Sequence, residues 1–504
     1  MDTADGEDMG DGAKRMTPSP TVDHGADGAD LISGLPDDVL LRILGQVGDA
    51  RDVVRTDALS RRWRGLWTRV PALRFDNSRP GFRPGFDDSR FVSFVDDVLA
   101  LRAQSGDGIE LLAISFTTDV ERLEGDVELV SMSIRDAQEW IKYAVRHEVK
   151  YLIFEFHLDN YQPLRDYYHV VHDDDGPVMS LLLGSPAKLE TMHLDILGVK
   201  VDLPATAVFA SLVELKLESI VVAGRSSDLF ARLVSSECCP RLQKLSMSGV
   251  ELEGVTELLL DSGSLAELWL KFMWMERHER KMSLELRTPS LRLTFVRSPS
   301  INIDGDLSSV WRLKLGPFDG DMSDTGIHLL RRCSSIRCLH MSIYFVKGKS
   351  YGADIIKGGM SQLSYVTSLK LDIFIEEAHS LGDGLASLFT VFSNLRYLRL
   401  DLFSERPKDL ICNHQDHWKS QKISLVHLQE VELRGLRGIN CELRFLQLVL
   451  ASATQLQKMF VRFDRHHCLE GTENDFLDML LGGGTWMGGH ISDAGQSYTW
   501  RPRR

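Results

Sequence analysis

The sequence predicts an α/β protein in which three short N-terminal helices precede an irregular solenoid of repeats with a curved parallel sheet. Two observations lead to this fold class. A six-residue pattern of apolar positions recurs along most of the chain from residue 149 onward, and such a period is typical of proteins that stack one supersecondary unit per repeat. Before it, residues 35–70 carry apolar side chains at helical spacing between two prolines.

Length and composition argue against several classes of protein. The chain has 504 residues, a formal net charge of -14 and 43% hydrophobic residues, a length that allows about two to four domains. The acidic balance argues against a nucleic-acid binder, which needs clustered Lys and Arg. No apolar run approaches the roughly 18 residues that span a bilayer. The seven cysteines are too sparse for a disulfide framework, so a protein of the cytoplasm or nucleus without membrane contact is expected.

The N-terminal part divides into a tail and a small helical unit. Residues 1–30 are rich in Asp, Gly, Ala and Pro, and we expect a disordered acidic tail because so few large apolar side chains cannot offset the entropy of ordering. In residues 31–75, Pro36 and Asp37 suit the first turn of a helix, and two more short helices follow before Pro71. Three helices in about 40 residues bury too little surface to be stable alone. Apolar surface is therefore expected to face a partner.

Residues 76–140 predict a linker region with helices. Two Pro-Gly pairs mark turns near its start. Apolar positions from Phe91 to Leu99 and from Ile134 to Ala144 recur at helical spacing. We expect two amphipathic helices here that pack on the part of the chain that follows.

The repeated unit reads apolar-x-x-apolar-x-apolar, and its first clear copy is VKYLIF from Val149. Later copies are LETMHL, LVELKL, LQKLSM, LAELWL, VWRLKL, IRCLHM, VTSLKL, LRYLRL, LQEVEL and LQKMFV. This is the signature of leucine-rich repeats, in which the first, fourth and sixth positions point inward from one short strand per repeat. We assign residues 141–422 to these repeats and residues 423–463 to the last of them. An antiparallel sandwich also gives alternating runs, but so many copies of one pattern favour the solenoid.

The third, fifth and seventh positions of each unit are expected to lie on the exposed concave face, because side chains alternate along a strand. Trp269 stands out there, since interfaces favour Trp, Tyr and Arg. The alternative is that a loop of the same chain, near Trp274, covers it. The candidate residues for binding a protein substrate are Lys216, Trp269, Arg312, Lys314, His340, Lys370, Tyr397 and Arg399.

Signs of catalysis or of cofactor binding are few. Gly482–Gly484 precedes Thr-Trp and not the Lys-Ser or Lys-Thr of a phosphate-binding loop. Two clusters without a Cys-x-x-Cys pair are better explained as loop residues than as metal ligands: Cys412, His414 and His417, and His466, His467 and Cys468. The pair Cys238–Cys239 is better explained by buried thiols than by a nucleophile. We therefore predict no catalytic residue, metal or cofactor, and an enzyme at the Cys412 cluster is the weakest alternative.

Three stretches of the N-terminal unit together resemble an F-box. They are SGLPDDVLLRIL from Ser33, LSRRWR from Leu59 and the pair Leu66-Trp67. Joined to degenerate leucine-rich repeats, this unit makes the chain similar to the plant family of F-box/LRR proteins. The stretch from Leu428 to Val461 resembles the FBD module of that family, and the Gly-Thr-Trp and Tyr-Thr-Trp triplets of the tail, residues 464–504, fit the same pattern.

The resemblance implies a receptor subunit of an SCF-type (cullin–RING) ubiquitin ligase. The F-box would bind a Skp-family adaptor and through it a cullin, the repeats would hold a protein substrate, and other subunits would perform the chemistry. Some of the implied adaptor-facing residues must instead pack in the core of the unit. They are Leu35, Pro36, Val39, Leu40, Ile43, Leu44, Val54, Leu59, Ser60 and Trp63. The alternative is a ligase-independent binding scaffold that keeps a non-functional F-box as a cap.

Overall fold

The computed structural model describes residues 32, 34–79, 88–119, 127–159, 178–180, 185–203, 207–222, 227–273, 282–296, 298, 301–317, 322–346, 349–351, 363–375, 385–386, 388–404, 423–464, 473–480, 484–488 and 496–503. Within these ranges the protein is an α/β structure with eight α-helices and two sheets. The helices span Asp37–Leu44 (α1), Ala50–Arg55 (α2), Asp88–Ser105 (α3), Val127–Arg146 (α4), Ser227–Leu233 (α5), Met322–Arg332 (α6), Asn440–Ala451 (α7) and Glu473–Leu480 (α8).

The strands lie mainly at the repeat motifs. Up to the middle of the chain they are Ala72–Asp76 (β1), Leu111–Asp119 (β2), Tyr151–Asp159 (β3), Val178–Ser180 (β4), Thr191–Asp202 (β5), Glu214–Val222 (β6), Lys244–Ser248 (β7), Glu251–Leu252 (β8), Glu257–Asp261 (β9), Glu267–Lys271 (β10) and Met282–Arg287 (β11). The remainder are Leu291–Val296 (β12), Ile301–Asp304 (β13), Val310–Pro317 (β14), Cys338–Val346 (β15), Lys349–Tyr351 (β16), Ser368–Ile375 (β17), Tyr397–Ser404 (β18), Glu430–Leu436 (β19), Lys458–Phe463 (β20), Gly484–Gly488 (β21) and Ser497–Pro502 (β22).

The large sheet is mostly parallel and follows chain order. From one edge its strands pair in the sequence β1, β2, β3, β5, β6, β7, β10, β12, β14, β15, β17, β18, β19 and β20. The hairpin of β21 and β22 closes the far end with antiparallel pairing. One strand per repeat, each hydrogen-bonded to the next, is consistent with a leucine-rich-repeat-like fold.

Two ladders of buried side chains run along one face of this sheet. The fourth positions align from strand to strand, as in Leu215, Leu245 and Leu268, and the sixth positions form a second ladder. Because strand side chains alternate, the third, fifth and seventh positions lie on the opposite face, which we call the polar face. The predicted inward positions are thus confirmed for the described repeats.

In the middle of the chain a second, smaller sheet contributes to the same buried core as the ladders. Strands β9, β11 and β13 form a parallel three-stranded sheet whose Leu258, Leu260 and Leu284 join the buried core. The stretch SLELRTPSLRLTF, a degenerate copy of the repeated unit, supplies two strands, β11 here and β12 in the large sheet. A strand rises about 3.3 Å per residue and a helix only about 1.5 Å. A strand therefore crosses a short repeat with fewer residues than a helix needs.

The large sheet starts before the first predicted repeat. Strands β1 and β2 pair in parallel ahead of β3. Their buried residues Val70, Leu73 and Phe75, and likewise Ile109, Leu112 and Ile114, fit the same apolar spacing. The two helices predicted between residues 76 and 140 are confirmed as α3 and α4, and Trp140 of α4 donates a hydrogen bond to Asp96 of α3 at 2.7 Å.

The N-terminal unit contains two α-helices, α1 and α2, and two short 3-10 helices at Thr56–Ala58 and Leu66–Arg69. The third helix expected from the sequence is therefore only a 3-10 turn. It starts after Gly65, whose φ of 76° is left-handed and interrupts a helix. Asp49 begins α2 as its N-cap and accepts a hydrogen bond from the Arg51 amide at 2.8 Å.

Candidate functional site

The N-terminal unit leaves large apolar side chains in solvent. Ile43 is 46% exposed and Leu59 is 66% exposed, values that a side chain packed in a core does not have. Among the other implied adaptor-facing residues, Leu40 and Leu44 are buried in the core of the unit. The remaining ones are half-buried or exposed: Leu35, Pro36, Val39, Val54, Ser60 and Trp63.

Arg62 joins the two ends of this unit and was not among the residues singled out from the sequence. Its guanidinium donates to the Asp37 carboxylate, with Nη2 at 3.0 Å, and to the carbonyl oxygen of Leu35. The Leu-Pro start of the unit is therefore held beside its Ser-Arg-Arg-Trp end. The sequence indicates this contact only through an Arg four residues before Leu66 and an Asp at the start of α1.

Arginine side chains hold the unit against the sheet. Arg51 Nη2 donates to the carbonyl oxygen of Asp76 in β1 at 3.1 Å. In return, Arg74 Nη1 of β1 donates to the carbonyl oxygen of Gly45 at 3.1 Å. Arg102 of α3 is 1% exposed and donates to the carbonyl oxygens of Val70 and Gly108, both at 2.9 Å. Burial lowers the pKa of Arg102. These contacts fix where the exposed apolar residues lie relative to the repeats.

Most of the predicted substrate-binding residues share one column of the polar face. Strand register aligns the fifth positions, which include Lys216, Trp269, Lys314, His340, Lys370 and Arg399. Arg312 and Tyr397 lie two residues earlier in their strands, in the third-position column. Parallel pairing with an unchanged register brings these distant residues into one surface.

The C-terminal part of this column is an ion-pair network. Lys370 Nζ lies 3.2 Å from both Asp372 Oδ1 and Asp401 Oδ2, and Arg399 Nε lies 2.9 Å from Asp401 Oδ2. His340 Nε2 is 2.6 Å from Asp372 Oδ2. Burial raises the pKa of Asp372, but its hydrogen bond to His340 and the charge of Lys370 outweigh burial and set the pKa at about 2.

The network continues to β19. The Tyr397 hydroxyl donates to Glu432 Oε2 at 2.6 Å, and Arg434 pairs with Glu432. Burial, together with this hydrogen bond, raises the pKa of Tyr397 to about 12. The cations predicted here from the sequence therefore already have acidic partners within the chain.

The central part of the polar face is different. Trp269 is 39% exposed, and Lys271 Nζ lies 4.3 Å from the centre of its ring, a cation–π contact. In the same column Trp269 is flanked by Ser246 and Thr294, whose side chains are short. The loop residue Trp274, which the sequence offered as a cover for Trp269, lies outside the described residues.

Aromatic residues at the ninth position of three units were missed from the sequence. Tyr344 and Phe374 stack at 4.6 Å, and Phe374 and Phe403 stack at 4.9 Å. These strands continue four or five residues beyond the sixth position of the unit. The signal in the sequence was an aromatic residue three positions after the last apolar position of the unit.

Glu218 provides a pH-dependent contact on the polar face. Its Oε2 lies 3.0 Å from His193 Nε2 and 2.5 Å from Lys216 Nζ. Burial raises the pKa of Glu218, but the hydrogen bonds from His193 and Lys216 outweigh it and lower the pKa from 4.5 to about 2. A carboxyl with a depressed pKa stabilises the fold fully above its unfolded pKa, and this stabilisation is lost as the pH falls through the folded pKa.

We therefore expect Glu218→Gln to lower the free energy of unfolding by about 2 kcal/mol at pH 7, a value reduced for the partial exposure of the group. The difference from the wild-type chain should shrink between pH 4.5 and pH 2. Urea denaturation at pH 7, 4 and 3 measures it, with Glu285→Gln at an exposed ion pair as the control. A difference that stays constant below pH 4.5 would contradict the assignment.

The two neighbouring cysteines are buried thiols. Cys238 is 4% and Cys239 0% exposed, and burial raises the pKa of Cys239 to about 12. A thiol with so high a pKa is a poor nucleophile at neutral pH. Both His/Cys clusters noted in the sequence lie outside the described residues, and within those residues no group of three His, Cys, Asp or Glu side chains is placed to hold a metal ion.

No helix among the described residues has the length and apolar content to cross a membrane.

Comparison with known proteins supports the resemblance. No protein-family model matches the chain. It is 27% identical to an F-box/FBD/LRR-repeat protein of Arabidopsis thaliana over 266 residues. This aligned stretch covers 52% of this chain and 52% of the relative. A putative FBD-associated F-box protein of the same plant is 28% identical over 52% of this chain and 56% of its own length. F-box/LRR-repeat protein 13, also from Arabidopsis, is 28% identical over 48% of this chain and 46% of its own length.

The chain spans about half the length of the curated relatives it matches. Between them, the names of these relatives contain the three modules that parts of this sequence resemble: the F-box, the leucine-rich repeats and the FBD module. The stretch that resembles the FBD module, from Leu428 to Val461, contains β19, α7 and the start of β20. The chain is thus a relative of the plant F-box/LRR/FBD proteins.

Proposed function

We propose that this protein is the substrate-recognition subunit of an SCF-type (cullin–RING) ubiquitin ligase. Residues 31–75 act as a three-segment F-box that docks on a Skp-family adaptor, which links the chain to a cullin. Residues 141–422 form a curved solenoid whose concave side is the polar face, and this face binds a protein substrate. Residues 423–463 close the array as an FBD-like module, and other subunits perform the ubiquitin chemistry in the cytoplasm or nucleus.

The exposure of Ile43 and Leu59 is the observation that best supports the adaptor-docking role. An isolated Leu or Ile on a surface is ordinary, but here two lie in one small unit beside partly exposed Val39 and Trp63. Exposed apolar side chains that lie close together mark sites of protein–protein contact. The apolar residues of the unit that face β1 and α3 are already buried within the chain. The exposed ones are therefore the residues that a bound adaptor would cover.

The attachment of the unit to the sheet supports a receptor in which the F-box unit and the repeats have a fixed arrangement, rather than two independent domains. The backbone contacts of Arg51, Arg74 and Arg102 hold the F-box unit on the first strand. A ligase must present its substrate at a defined position relative to the enzyme that transfers ubiquitin. A fixed angle between adaptor-docking unit and repeats would serve that requirement, whereas a flexible tether would not.

Adaptor binding should be lost when the exposed apolar residues become charged. Ile43→Asp and Leu59→Asp are each expected to lower the affinity for a Skp-type adaptor at least about 10-fold, because each places an unpaired carboxylate in an apolar interface. Titration calorimetry with purified adaptor and the full chain measures the effect. Val426→Asp makes the same change at a residue that is 41% exposed in the C-terminal repeats and should bind normally.

Two outcomes would refute the adaptor-docking role. One is no association of the wild-type chain with the adaptor under conditions in which another F-box protein binds. The other is equal binding by the Leu59→Asp and Val426→Asp variants. A chain that binds a protein ligand without adaptor or cullin would instead be a ligase-independent scaffold.

A further inference from the structure

The polar face carries uncompensated positive charge at its centre. Among the described residues, Lys271, Arg312 and Lys314 have no carboxylate within ion-pair distance, whereas Arg292 next to them pairs with Glu267. The formal net charge of the whole chain is -14. A cluster of unpaired cations on so acidic a protein is a local feature that solubility does not require.

These cations repel one another. Lys271 is partly buried, and burial together with the charges of Lys314 and Lys216 lowers its pKa. Among the described residues, Glu218 is the carboxylate that acts on Lys271, and it is bound to Lys216 and His193. A negatively charged ligand would therefore remove an unfavourable interaction that the chain itself leaves in place.

An aromatic surface lies within the same cluster. Trp269 is more than one-third exposed beside Lys271, and its neighbours in the same column, Ser246 and Thr294, have short side chains. An exposed Trp beside cations can contact an apolar side chain and its neighbouring carboxylates at the same time. The site is thus built for a ligand that carries both.

The surroundings limit how long that ligand can be. Toward the start of the array the polar face carries Glu155, Asp195 and Glu218, and toward its end Asp372 and Asp401. The strands between are β7, β10, β12 and β14, which at about 4.8 Å per strand span roughly 15–20 Å. About five extended residues cover that distance. A continuous polyanion such as a nucleic acid would meet acidic residues on both sides.

We infer that Trp269, Lys271, Arg312 and Lys314 form a site for a short acidic segment of a partner protein that includes one aromatic or large apolar side chain. This inference rests on the proposed function, since the segment would be the feature by which the receptor recognises its substrate. The ion-pair network of β15 to β19 is then a rigid boundary of the site, because its cations are already neutralised.

Defined peptides test the inference on the full chain, and adaptor binding is measured separately. Fluorescein-labelled GEEFEEG, GEEAEEG and GKKFKKG are titrated by fluorescence anisotropy. GEEFEEG should bind, GEEAEEG should bind several-fold more weakly, and GKKFKKG should not bind. Lys314→Glu and Trp269→Ala should each weaken GEEFEEG about 10-fold. Arg287→Glu, the same charge change on β11 of the second sheet, is the matched control and should leave binding unchanged.

Further measurements separate this inference from a folding defect and from the proposed function. Lys314→Gln removes one charge without adding another, and it should weaken GEEFEEG while adaptor stoichiometry and circular dichroism stay as in the wild-type chain. If GEEFEEG and GKKFKKG bind equally, or a single-stranded oligonucleotide of equal charge binds as tightly as GEEFEEG, the inference is wrong. If the peptides discriminate as expected but the chain does not bind the adaptor, the proposed ligase function fails and the site remains.

Discussion

Replacing Asp401 by Ala is expected to destabilise the C-terminal repeats by about 3 kcal/mol. The Asp401 side chain is 7% exposed and accepts from Arg399 Nε at 2.9 Å and Lys370 Nζ at 3.2 Å, with Arg434 Nε at 3.9 Å. Removing it leaves three cations facing one another where little water can screen them. Breaking a buried ion pair from one side typically costs about 3–5 kcal/mol, and the lower value applies because Lys370 keeps Asp372.

Native-state hydrogen exchange of the amides in β17, β18 and β19 is the measurement, because a repeat array need not unfold in one step. Glu139→Ala removes one partner of an ion pair in α4 with both side chains largely exposed, and it should change exchange little. Adding Arg434→Ala to Asp401→Ala should restore part of the loss, since Glu432 is then free to neutralise Arg399, whose Nη1 lies 3.8 Å from Glu432 Oε2. No recovery in the double variant, or a loss as small as in Glu139→Ala, would show that the network is not stabilising.

The buried ladders were predictable because they depend only on local spacing. In each copy the fourth and sixth positions alternate with polar residues, and alternation fixes which face of a strand is apolar whatever lies beside it. The same rule would have found β1 from Val70, Leu73 and Phe75, and β2 from Ile109, Leu112 and Ile114. They were missed because each stands alone among turns and helices, without the regular recurrence that made later copies visible.

The charge balance of the polar face could not be predicted. Lys370 and Lys314 occupy the same position of the repeat, yet one lies between two aspartates and the other has no acidic partner among the described residues. The difference depends on which side chains neighbouring strands bring together, and repeats of unequal length hide that register in a linear sequence. Candidate residues on the polar face can therefore be predicted from the sequence, while the structure separates the cations that have acidic partners from those that have none among the described residues.

In the N-terminal unit, the sequence could not separate docking residues from core residues. Leu40 and Leu44 lie four residues apart on α1 and are buried, whereas Ile43 between them is 46% exposed. Periodicity identifies one apolar face, but this helix is apolar on more than one side. Only the position of α1 against the 3-10 turn and β1 determines which side remains in solvent.

Gly435→Ala is expected to cost at least about 3 kcal/mol in the last repeats. Gly435 has a φ of 75°, and a Cβ placed on it would overlap the carbonyl oxygen of Leu402 in β18. The glycine forms a bulge, since β19 shifts register against β20 between Arg434 and Leu436. The bulge brings Leu436 into the core, where simple alternation would have placed residue 435.

Gly254→Ala is the matched control for this change. Gly254 has a φ of 71°, but a Cβ there would meet no atom within 4 Å, so the variant should lose only the roughly 1 kcal/mol of a left-handed backbone. Hydrogen exchange in β18 to β20 for Gly435→Ala, and in β8 and β9 for Gly254→Ala, separates the two costs. Equal losses would mean that the backbone conformation alone matters. A larger loss at Gly435 would show that close contact with Leu402 fixes the bulge. The bulge would then also determine where the pairing of β18 with β19 ends, which is after Asp401 and Arg434.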